Sequence, residues 1–201
     1  NIKISAKNII LDKNKKTTLF KNEVSVLTSE GDNIKSDNAE YNKDLGILTL
    51  RKNVYLTDKY NNVLIADFIE YKENKKILTT KGPTKIITSD KYNLESEDLF
   101  LNKNENLILS NLKTKIIDND NNLILLDNFK YNTKLNFFKS IGEIEIKDKN
   151  NNTYKFSQIF IDTKKKEIVG TDIKAYLNQQ GFKINTKNNP RVFSNSVNFL
   201  K

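Results

Sequence analysis

The feature that most constrains the fold is a repeat of 30 residues that runs along nearly the whole chain. One large apolar residue recurs at this interval without an insertion, and it serves here as the anchor of each repeat: Leu11, Tyr41, Tyr71, Leu101, Tyr131 and Ile161. Apolar residues also recur two positions, and again seven positions, before the anchor. Self-similarity at a period of roughly 20–50 residues is typical of repeat proteins. The sequence therefore predicts a series of similar structural units.

Each repeat has the pattern of two strands joined by polar turns. The stretch Ile144-Glu145-Ile146 alternates apolar and polar residues, which is typical of a half-buried strand. The turns are rich in Asn and Asp, as in "NDNN" at 119–122, and these side chains hydrogen-bond their own backbone. Because the connections are short, neighbouring strands are expected to be antiparallel. We predict an all-β, up-and-down antiparallel meander of about a dozen strands, with no helix.

A change of parity inside the first strand of each repeat predicts a crease. Apolar residues seven and five positions before the anchor share one parity, and those at the anchor and two before it share the other. A bulge must separate them. At that point stand the corner acids Asp37, Asp67, Glu97 and Asp127. The residues expected to face them are Arg51, Lys52, Lys81, Gly82 and Gly142.

A flat meander of this length would leave an apolar face in water, so the sheet must fold over on itself. We predict an open half-pipe in which two leaves enclose an apolar interior and meet along a charged or glycine-rich spine. The corner acids are interpreted as structural residues that satisfy backbone groups and pair with facing cations. Adjacent repeats hold them too far apart to share a proton in acid–base catalysis. The glycine-rich nonapeptides of a calcium-binding β-roll are absent from the sequence.

Composition excludes several kinds of chemistry. The chain has no His and no Cys, so it offers no zinc site of the usual N/S type, no Cys nucleophile and no Ser-His-Asp triad. We expect no metal, no cofactor and no enzymatic activity. The net charge of +9 would attract anionic partners, but a solvated Lys-rich surface is the simpler explanation. No Arg-rich run or aromatic platform predicts binding to nucleic acid.

The apolar ladder has two interpretations, which the periodicity leaves open. It forms either a filled core or the lining of a groove that holds long acyl chains. The residues concerned are Ile4, Ile9, Ile34, Leu64, Ile69, Leu94, Leu99, Ile124, Phe129 and Ile159. Lys59 and Lys103 are expected to point outward. No stretch is long and apolar enough to predict a membrane-spanning helix.

The stretch "GDNIKSDNAEYNKDLGILTLRKNVYLTD" at 31–58 resembles the repeat of the OstA-like domains of the lipopolysaccharide transport system. The residues that carry this resemblance are Gly31, Ile34, Ser36, Asp37, Ala39, Tyr41, Asn53 and Val54. The end of the chain, "NTKNNPRVFSNSVNFLK" at 185–201, resembles the segment that leads into the outer-membrane barrel of the LptD family. Its matching residues are Pro190, Arg191, Phe193, Asn195 and Ser196. The resemblance predicts an OstA-like domain over 1–184 and, over 185–201, the start of a connection to a barrel absent from this chain.

The resemblance implies a periplasmic β-jellyroll, or β-taco, at the outer membrane of a Gram-negative bacterium. Its groove would receive the lipid A acyl chains of lipopolysaccharide and pass them toward the membrane barrel. A periplasmic bridge protein would pair with the N-terminal edge strand by β-augmentation. The edge residues would be Ile2, Ile4, Ala6 and Ile9. An outer-membrane lipoprotein plug would associate through the missing barrel. Because the chain has no Cys, the disulfides common in the family are either missing or lie outside this chain.

Two other functions compete with this one. The first is a stand-alone periplasmic bridge protein of the same fold, which would not need the Pro190-Arg191 segment. The second is a right-handed β-helix enzyme that acts on polysaccharide with acidic catalysts on one face. Its coils usually need three strands stacked in parallel, whereas the short turns here favour antiparallel hairpins. Its catalysis also needs closely paired carboxylates, which the 30-residue spacing does not provide.

Overall fold

The structure is a computed structural model that describes residues 2–165, 167–178 and 190–199. These residues form antiparallel strands and a single turn of 3₁₀ helix, Glu73–Lys75. The predicted all-β antiparallel meander is therefore confirmed. Within this part of the chain, no helix has the length and apolar character needed to cross a membrane. Two compact units divide the chain: unit 1, Asn1–Asn106, and unit 2, Leu107–Lys201.

Unit 1 is built around four long strands, β3 to β6, each paired with the next. β1 and β2 both pair with β3, while β6 pairs with both β7 and β8. β10 pairs with β7, and β9 with β8. In chain order the strands are β1 Lys3–Ser5, β2 Asn8–Asp12, β3 Thr17–Leu27, β4 Asn33–Asn42, β5 Ile47–Thr57, β6 Val63–Lys72, β7 Ile77–Thr80, β8 Thr84–Ile87, β9 Asn93–Ser96 and β10 Phe100–Asn102.

Unit 2 repeats this plan with shorter strands first and longer strands later. Its strands are β11 Leu107–Ser110, β12 Thr114–Ile117, β13 Leu123–Leu126, β14 Phe129–Asn132, β15 Phe137–Lys147, β16 Thr153–Asp162, β17 Glu167–Tyr176 and β18 Arg191–Phe199. β15 pairs with both β13 and β14, and β15 to β18 follow one another across the sheet. The predicted domain boundary after residue 184 lies outside the described residues. Part of the predicted connecting segment forms β18.

The hairpin turns recur with the same 30-residue interval as the strands. Asp58 Oδ1 accepts hydrogen bonds from the backbone N–H groups of Tyr60, at 2.8 Å, and Asn62, at 2.9 Å. The same arrangement returns at Asp118 and Asp148. Left-handed residues follow at Gly31, Asn61, Lys91, Asn121 and Asn151. The predicted role of the Asn- and Asp-rich turns is confirmed.

Asparagine side chains also tie successive turns to one another. Asn62 Oδ1 accepts a hydrogen bond from the backbone N–H of Ser89, at 3.0 Å. Sixty residues later, Asn122 Oδ1 accepts from the backbone N–H of Lys149, at 3.2 Å. Each of these side chains therefore satisfies a backbone donor that the strand ladders leave unpaired. The repeat thus specifies the stacking of the turns as well as their individual shape.

A β-bulge interrupts the long strands where the change of parity predicts one. Between β4 and β5 the register shifts from Lys35 to Asn38, opposite Lys52 and Asn53, whose φ angles are 65° and 51°. Left-handed backbone is rare for residues other than glycine, and it bends the strand sharply. Positive φ recurs at intervals of 30 residues at Asn22, Lys52 and Gly82, and again, after one skipped repeat, at Gly142 and Asp172. The predicted crease is confirmed.

Two corner acids face the bulges as the hairpin register predicts. Asp37 Oδ2 accepts a hydrogen bond from Asn53 Nδ2, at 2.9 Å. Asp127 Oδ2 accepts from the backbone N–H of Glu143, at 2.8 Å. A Cβ atom at Gly142 would lie 2.8 Å from the same carboxylate oxygen, so the acid occupies the space of the missing side chain. These acids satisfy polar groups at the crease and have a structural role.

At Gly82 the contact differs from those of Asp37 and Asp127. Asp98, the residue after the corner acid Glu97, follows Gly82 along the chain, and its Oδ1 accepts a hydrogen bond from the backbone N–H of Gly82, at 3.0 Å. Asp37 and Asp127 instead precede the residues that donate to them. Gly82 has a φ of 77° with open space around it, so its backbone conformation, rather than crowding, favours glycine there.

The bulges divide the sheet of unit 1 into two leaves. Leaf one contains β2, the first halves of β3 and β5, the second halves of β4 and β6, β7 and β10. Leaf two contains β1, the remaining halves of β3 to β6, β8 and β9. Apolar side chains from both leaves join in one hydrophobic core, which is the apolar interior expected from the sequence.

Candidate functional site

The residues predicted to line a groove lie mostly inside the two units. In unit 1, Ile34, Leu64, Ile69 and Leu99 are between 0% and 4% exposed. Strand alternation aligns them: Leu56 lies opposite both Ile34 and Leu64 on its two neighbouring strands. Side chains at this degree of burial touch other side chains on all sides. The interior of unit 1 is therefore filled along its central strands.

The interior of unit 2 is less completely buried toward its turns. Phe129 and Ile159, beside the crease, are 3% and 0% exposed. Ile124 and Tyr154 lie farther from the crease and are only half-buried. Ile34 occupies the equivalent repeat position in unit 1 and is 1% exposed. Equivalent positions of the repeat are thus closed on the central strands of unit 1 and partly open in unit 2.

Aromatic rings line part of the open interior of unit 2. The rings of Phe129 and Phe138 are stacked, with centroids 5.7 Å apart and planes 7° apart. Tyr131 also lies near Phe138, with centroids 6.4 Å apart. Phe138 and Tyr131 are half-buried. Such rings offer large, flat apolar surfaces with a polar edge at the phenol.

The N-terminal edge has a different character from the interior. Ile4 packs against the core from β1, together with Ile2 and Ala6, and all three are partly buried. Ile9 lies on β2 and is 59% exposed, which places it outside the enclosed core. Within unit 1, β1 and β2 pair with β3 alone. These strands therefore form the N-terminal edge of the unit's sheet, with exposed apolar side chains on β2. Leu94, the remaining predicted lining residue of unit 1, is half-buried on β9.

Four charged residues join the free ends of the two leaves of unit 1, and we call them the seam cluster. Glu30 and Asp32 lie in the turn between β3 and β4, at the free end of leaf two. Lys76 and Lys103 lie in the turns that follow β6 and β10, at the free end of leaf one. Lys103 Nζ is 2.8 Å from Glu30 Oε2 and also contacts the Asp32 carboxylate. Lys76 Nζ is 2.9 Å from Glu30 Oε1.

Burial and charge act in opposite directions on the seam cluster. Burial alone would lower the pKa of Lys103, but hydrogen bonds to Asp32 and Glu30 outweigh it and raise that pKa above 10.5. Burial would likewise raise the pKa of Glu30, but hydrogen bonds from Lys103 and Lys76 lower it below 4.5. The pKa of Tyr71, which lies in the core nearby, is raised by burial and by Glu30. Glu30 and Lys103 are therefore charged at neutral pH.

Sequence reasoning missed the seam cluster. The prediction that Lys103 points outward is wrong, because its side chain is only 31% exposed and holds two carboxylates. The partners are separated by more than 70 residues along the chain. No local pattern links residues at that distance. The turn "EGD" at 30–32 was the available signal, since it places two acids on either side of a left-handed glycine.

Beside the crease, the interior changes from apolar to small and polar along the chain. One repeat position is occupied in turn by Phe20, Leu50, Thr80, Ser110, Ser140 and Gly170, all of them buried. The hydroxyls are satisfied locally: Thr80 Oγ1 accepts from the backbone N–H of Leu99, at 3.0 Å, and Ser140 Oγ donates to the Asn128 carbonyl, at 2.6 Å. These contacts describe a structural lining rather than catalytic groups.

The described residues contain no group of three or more His, Cys, Asp or Glu side chains that could hold a metal ion. Carboxylates and lysines of the seam cluster neutralise one another. The site consequently offers apolar surface and one cluster of paired charges. Arrangements of this kind bind and enclose apolar groups.

Together, the fold and the interior define an all-β repeat protein whose creased antiparallel sheet encloses an apolar space in each unit. No family model matches the chain, and no curated protein matches it. Among solved structures, the chain is similar to LptH from Pseudomonas aeruginosa, the LptA homologous periplasmic component of the conserved lipopolysaccharide transport device. The two are 13% identical over 96% of this chain and 94% of that chain, with a TM-score of 0.28.

A second similarity is to the TCP10 domain of CPAP from Danio rerio. It covers 82% of this chain and 94% of that chain at 10% identity, with a TM-score of 0.16. At these values neither similarity distinguishes one function from another. The residues of the interior, the edge and the seam cluster are the features from which a function has to be inferred.

Proposed function

We propose that this chain is a periplasmic OstA-like domain that carries lipopolysaccharide toward the outer-membrane surface. The strongest support is the interior, which is lined by apolar residues at each repeat. The side chains of Ile124 and Tyr154 in this lining are only half-buried. The choice of lipopolysaccharide as the ligand rests on the resemblance of residues 31–58 to the OstA-like repeat. The lipid A acyl chains would lie between the two leaves, against the residues that the sequence predicts for the groove.

Burial of acyl chains accounts for the energetics of this function without catalysis. Each buried methylene contributes about 0.8 kcal/mol, so ten methylenes contribute about 8 kcal/mol. Transport needs binding that is strong enough to hold the lipid and divided among enough similar positions to let it move. A ladder with a 30-residue period provides such a series of positions. The protein acts in this proposal as a carrier and makes or breaks no bonds.

The N-terminal edge strands suit pairing with a strand of a partner protein. In the proposal, the periplasmic bridge protein adds a strand beside β1 and β2 and extends the apolar interior. Ile2, Ile4 and Ala6 would continue the interior, and the exposed Ile9 would meet the partner's apolar side chains. Exposed edge strands are prone to such pairing because they present unpaired backbone groups.

The finer assignment is to the periplasmic domain of the LptD family, at the periplasmic face of the outer membrane. It rests on the resemblance of residues 185–201 to the segment that leads into that family's barrel. In this proposal the barrel and its lipoprotein plug receive the lipid from the far end of the interior. The chain would then be the domain that connects the periplasmic bridge to the membrane.

One observation favours the stand-alone bridge protein as a second candidate. Arg191–Phe199 forms β18, which pairs with β17 and so continues the sheet. Val192 and Phe193 on this strand are 53% and 61% exposed. A bridge protein needs an accessible strand at each end of its sheet, and β18 offers one in addition to the N-terminal edge strands. Pairing of β18 with a second soluble partner would decide for this candidate.

A photoreactive amino acid at Phe129, in cells that carry the intact protein, tests the proposed function. Phe129 faces the interior, and the adjacent Lys130 is exposed and serves as the matched control. We expect adducts with lipopolysaccharide at position 129 and none at position 130. Equal adducts at both positions would indicate nonspecific contact, and none at either, in a folded protein, would identify the interior as plain core.

A further inference from the structure

The seam cluster closes the interior of unit 1 at a place where a lipid would have to enter. Beneath it, Tyr71 is 5% exposed, and Val26 and Leu48 are completely buried. A filled interior of this kind has no room for an acyl chain unless the leaves separate. Separation requires the free ends of the leaves to part. The residues that hold those ends together are the members of the seam cluster.

We propose that the seam cluster is a gate that controls the access of acyl chains to the interior of unit 1. This inference rests on the proposed function for the nature of the ligand. With the cluster intact, the interior of unit 1 stays dry and closed. When the contacts of Lys103 and Lys76 with the two acids break, the leaves part and the apolar residues of unit 1 become available.

Each side of the gate is held together by its own hydrogen bonds. The backbone N–H of Lys103 donates to the carbonyl of Lys76, at 3.1 Å, and Asn104 Nδ2 donates to the carbonyl of Lys75, at 3.1 Å. The two lysines therefore belong to one connected pair of turns and move together. They form one side of the gate.

On the other side, the backbone N–H of Asp32 donates to Thr28 Oγ1, at 3.0 Å, and the backbone N–H of Thr28 donates to the Asp32 carbonyl, at 3.0 Å. These two bonds hold the turn that carries Glu30 and Asp32 in one shape. Opening therefore requires the loss of the ion pairs between the sides but not of the turns themselves. In the proposal the two sides therefore have two discrete arrangements, paired and parted, as a gate needs.

The degree of burial separates this cluster from an ordinary surface ion pair. The Asp32 side chain is 7% exposed and that of Lys103 is 31% exposed. In the pair Lys16–Asp44, Nζ and Oδ2 are 3.3 Å apart and the side chains are 74% and 60% exposed. Partial burial strengthens an ion pair, whereas exposed pairs contribute little. Lys16–Asp44 joins two turns of leaf one only, so it provides a control that leaves the gate intact.

Thiol labelling of the full chain tests the gate without any lipid. Because the chain has no Cys, a single introduced cysteine reports its own accessibility. Ile34→Cys reports on the interior of unit 1, and Ile159→Cys reports on that of unit 2; both positions are buried. Each reporter is combined with Lys103→Met, or with the control Lys16→Met, and the rate of reaction with a maleimide is measured in the folded protein.

We expect Lys103→Met to accelerate labelling at position 34 by at least about fivefold and to leave position 159 nearly unchanged, because opening is local. Lys16→Met should change neither rate. Equal acceleration at both positions would indicate general destabilisation and overturn the gate, as would no acceleration at position 34. If Lys103→Met does not fold, Lys76→Met removes one contact of the same gate and is expected to give a smaller acceleration at position 34 alone.

The outcome distinguishes the gate from the proposed function. If lipid adducts form at Phe129 but the labelling rate at position 34 does not change in Lys103→Met, the gate is refuted. The proposed transport function is then unaffected. Labelling that follows Lys103, combined with no lipid adducts from a photoreactive residue at position 34 in Lys103→Met, would support a local opening of unit 1 and refute its role in lipid access. Only the combination of both results supports the gate as proposed.

Discussion

Units 1 and 2 use the same repeat, yet equivalent residues are buried to different degrees. In the register seven residues before the anchor, Ile34 and Leu64 on the central strands of unit 1 are at most 4% exposed. Leu94 on β9 of the same unit, and Ile124 and Tyr154 of unit 2, are half-buried. All five residues are large and apolar, so hydrophobicity does not explain the difference. In unit 1 the seam cluster draws the free ends of the leaves together above the core. In unit 2, the ion pair Lys155–Glu145, at 3.1 Å, joins neighbouring strands of the sheet.

The comparison shows that a repeat specifies the lining of an interior, while contacts outside the repeat decide how tightly it closes. Compensating changes near the crease support this. In unit 1, Ser36 and Leu50 are buried beside the bulge, and 120 residues later the same positions hold Phe156 and Gly170. The large and small residues have exchanged places. The total volume is kept, but the packing is particular to each unit.

Truncation of equivalent residues should break the comparison most strongly. Ile34→Ala removes a side chain that is fully enclosed, so we expect a loss of about 2–5 kcal/mol in the free energy of unfolding. Ile124 occupies the same repeat position in a partly open interior. For Ile124→Ala we expect a loss of about 1–2 kcal/mol in the free energy of unfolding, because water or neighbouring side chains reach the site. Urea unfolding of both variants measures the difference. Equal losses would mean that the two interiors are closed alike.

Gly170→Ala tests whether the exchange of large and small residues is required. A Cβ atom at position 170 would lie 2.4 Å from a ring carbon of Phe156, so the ring must move. We expect a loss of about 1–3 kcal/mol, typical of overpacking in a core. Phe156→Leu should cost less in the Gly170→Ala background than alone, because it relieves the clash. Additive effects of the two substitutions would contradict this explanation.

The pH dependence of stability should distinguish the seam cluster from the other ion pairs. The pKa of Glu30 is below its ordinary value of 4.5 in the folded state, so its contribution is present above pH 4.5 and is lost as pH falls through the folded pKa. The pKa of Lys103 is above 10.5, so its contribution is present below pH 10.5 and is lost as pH rises through the folded pKa. Asp32 and Lys76 also belong to the cluster, and Tyr71 lies beside it.

Glu30→Gln should therefore lower the free energy of unfolding at pH 7 by about 1–2 kcal/mol, below the roughly 3–5 kcal/mol of a fully buried ion pair. The difference from the unsubstituted protein should shrink as the pH falls below 4.5. Chemical unfolding at a series of pH values measures it. A difference that stays constant down to the acid limit would show that Glu30 contributes through packing and not through its charge.

Much of the fold could be predicted because the repeat is written into local patterns. The change of parity before Tyr41 predicts the bulge that the positive φ of Lys52 confirms. The Asn- and Asp-rich turns predict the hydrogen bonds at Asp58 and its equivalents. The apolar ladder predicts which residues face inward, as at Ile34 and Phe129. In each case the signal lies within one repeat.

The remaining features depend on contacts between distant repeats. Lys103 and Glu30 are 73 residues apart, more than two repeats, and nothing near Lys103 in the sequence indicates its partner. Ile9 matches the apolar register but lies on an edge strand, which has no neighbouring leaf to bury it. Gly170 gave no signal because its reason, the ring of Phe156, lies 14 residues earlier on a paired strand. Periodicity does not indicate how tightly an interior closes, which strands lie at an edge, or which residues compensate for one another in volume.

One measurement tests the central claim most directly, namely that apolar ligand occupies an interior whose openness differs between the units. Photoreactive residues at the equivalent positions Ile34, Leu64, Ile124 and Tyr154 would be compared in cells that carry the intact protein. We predict lipopolysaccharide adducts at positions 124 and 154, with weak adducts at 34 and 64 that increase in Lys103→Met. Uniform adducts at all four positions, unchanged by Lys103→Met, would contradict the difference between the units. Complete absence of adducts would contradict the carrier function itself.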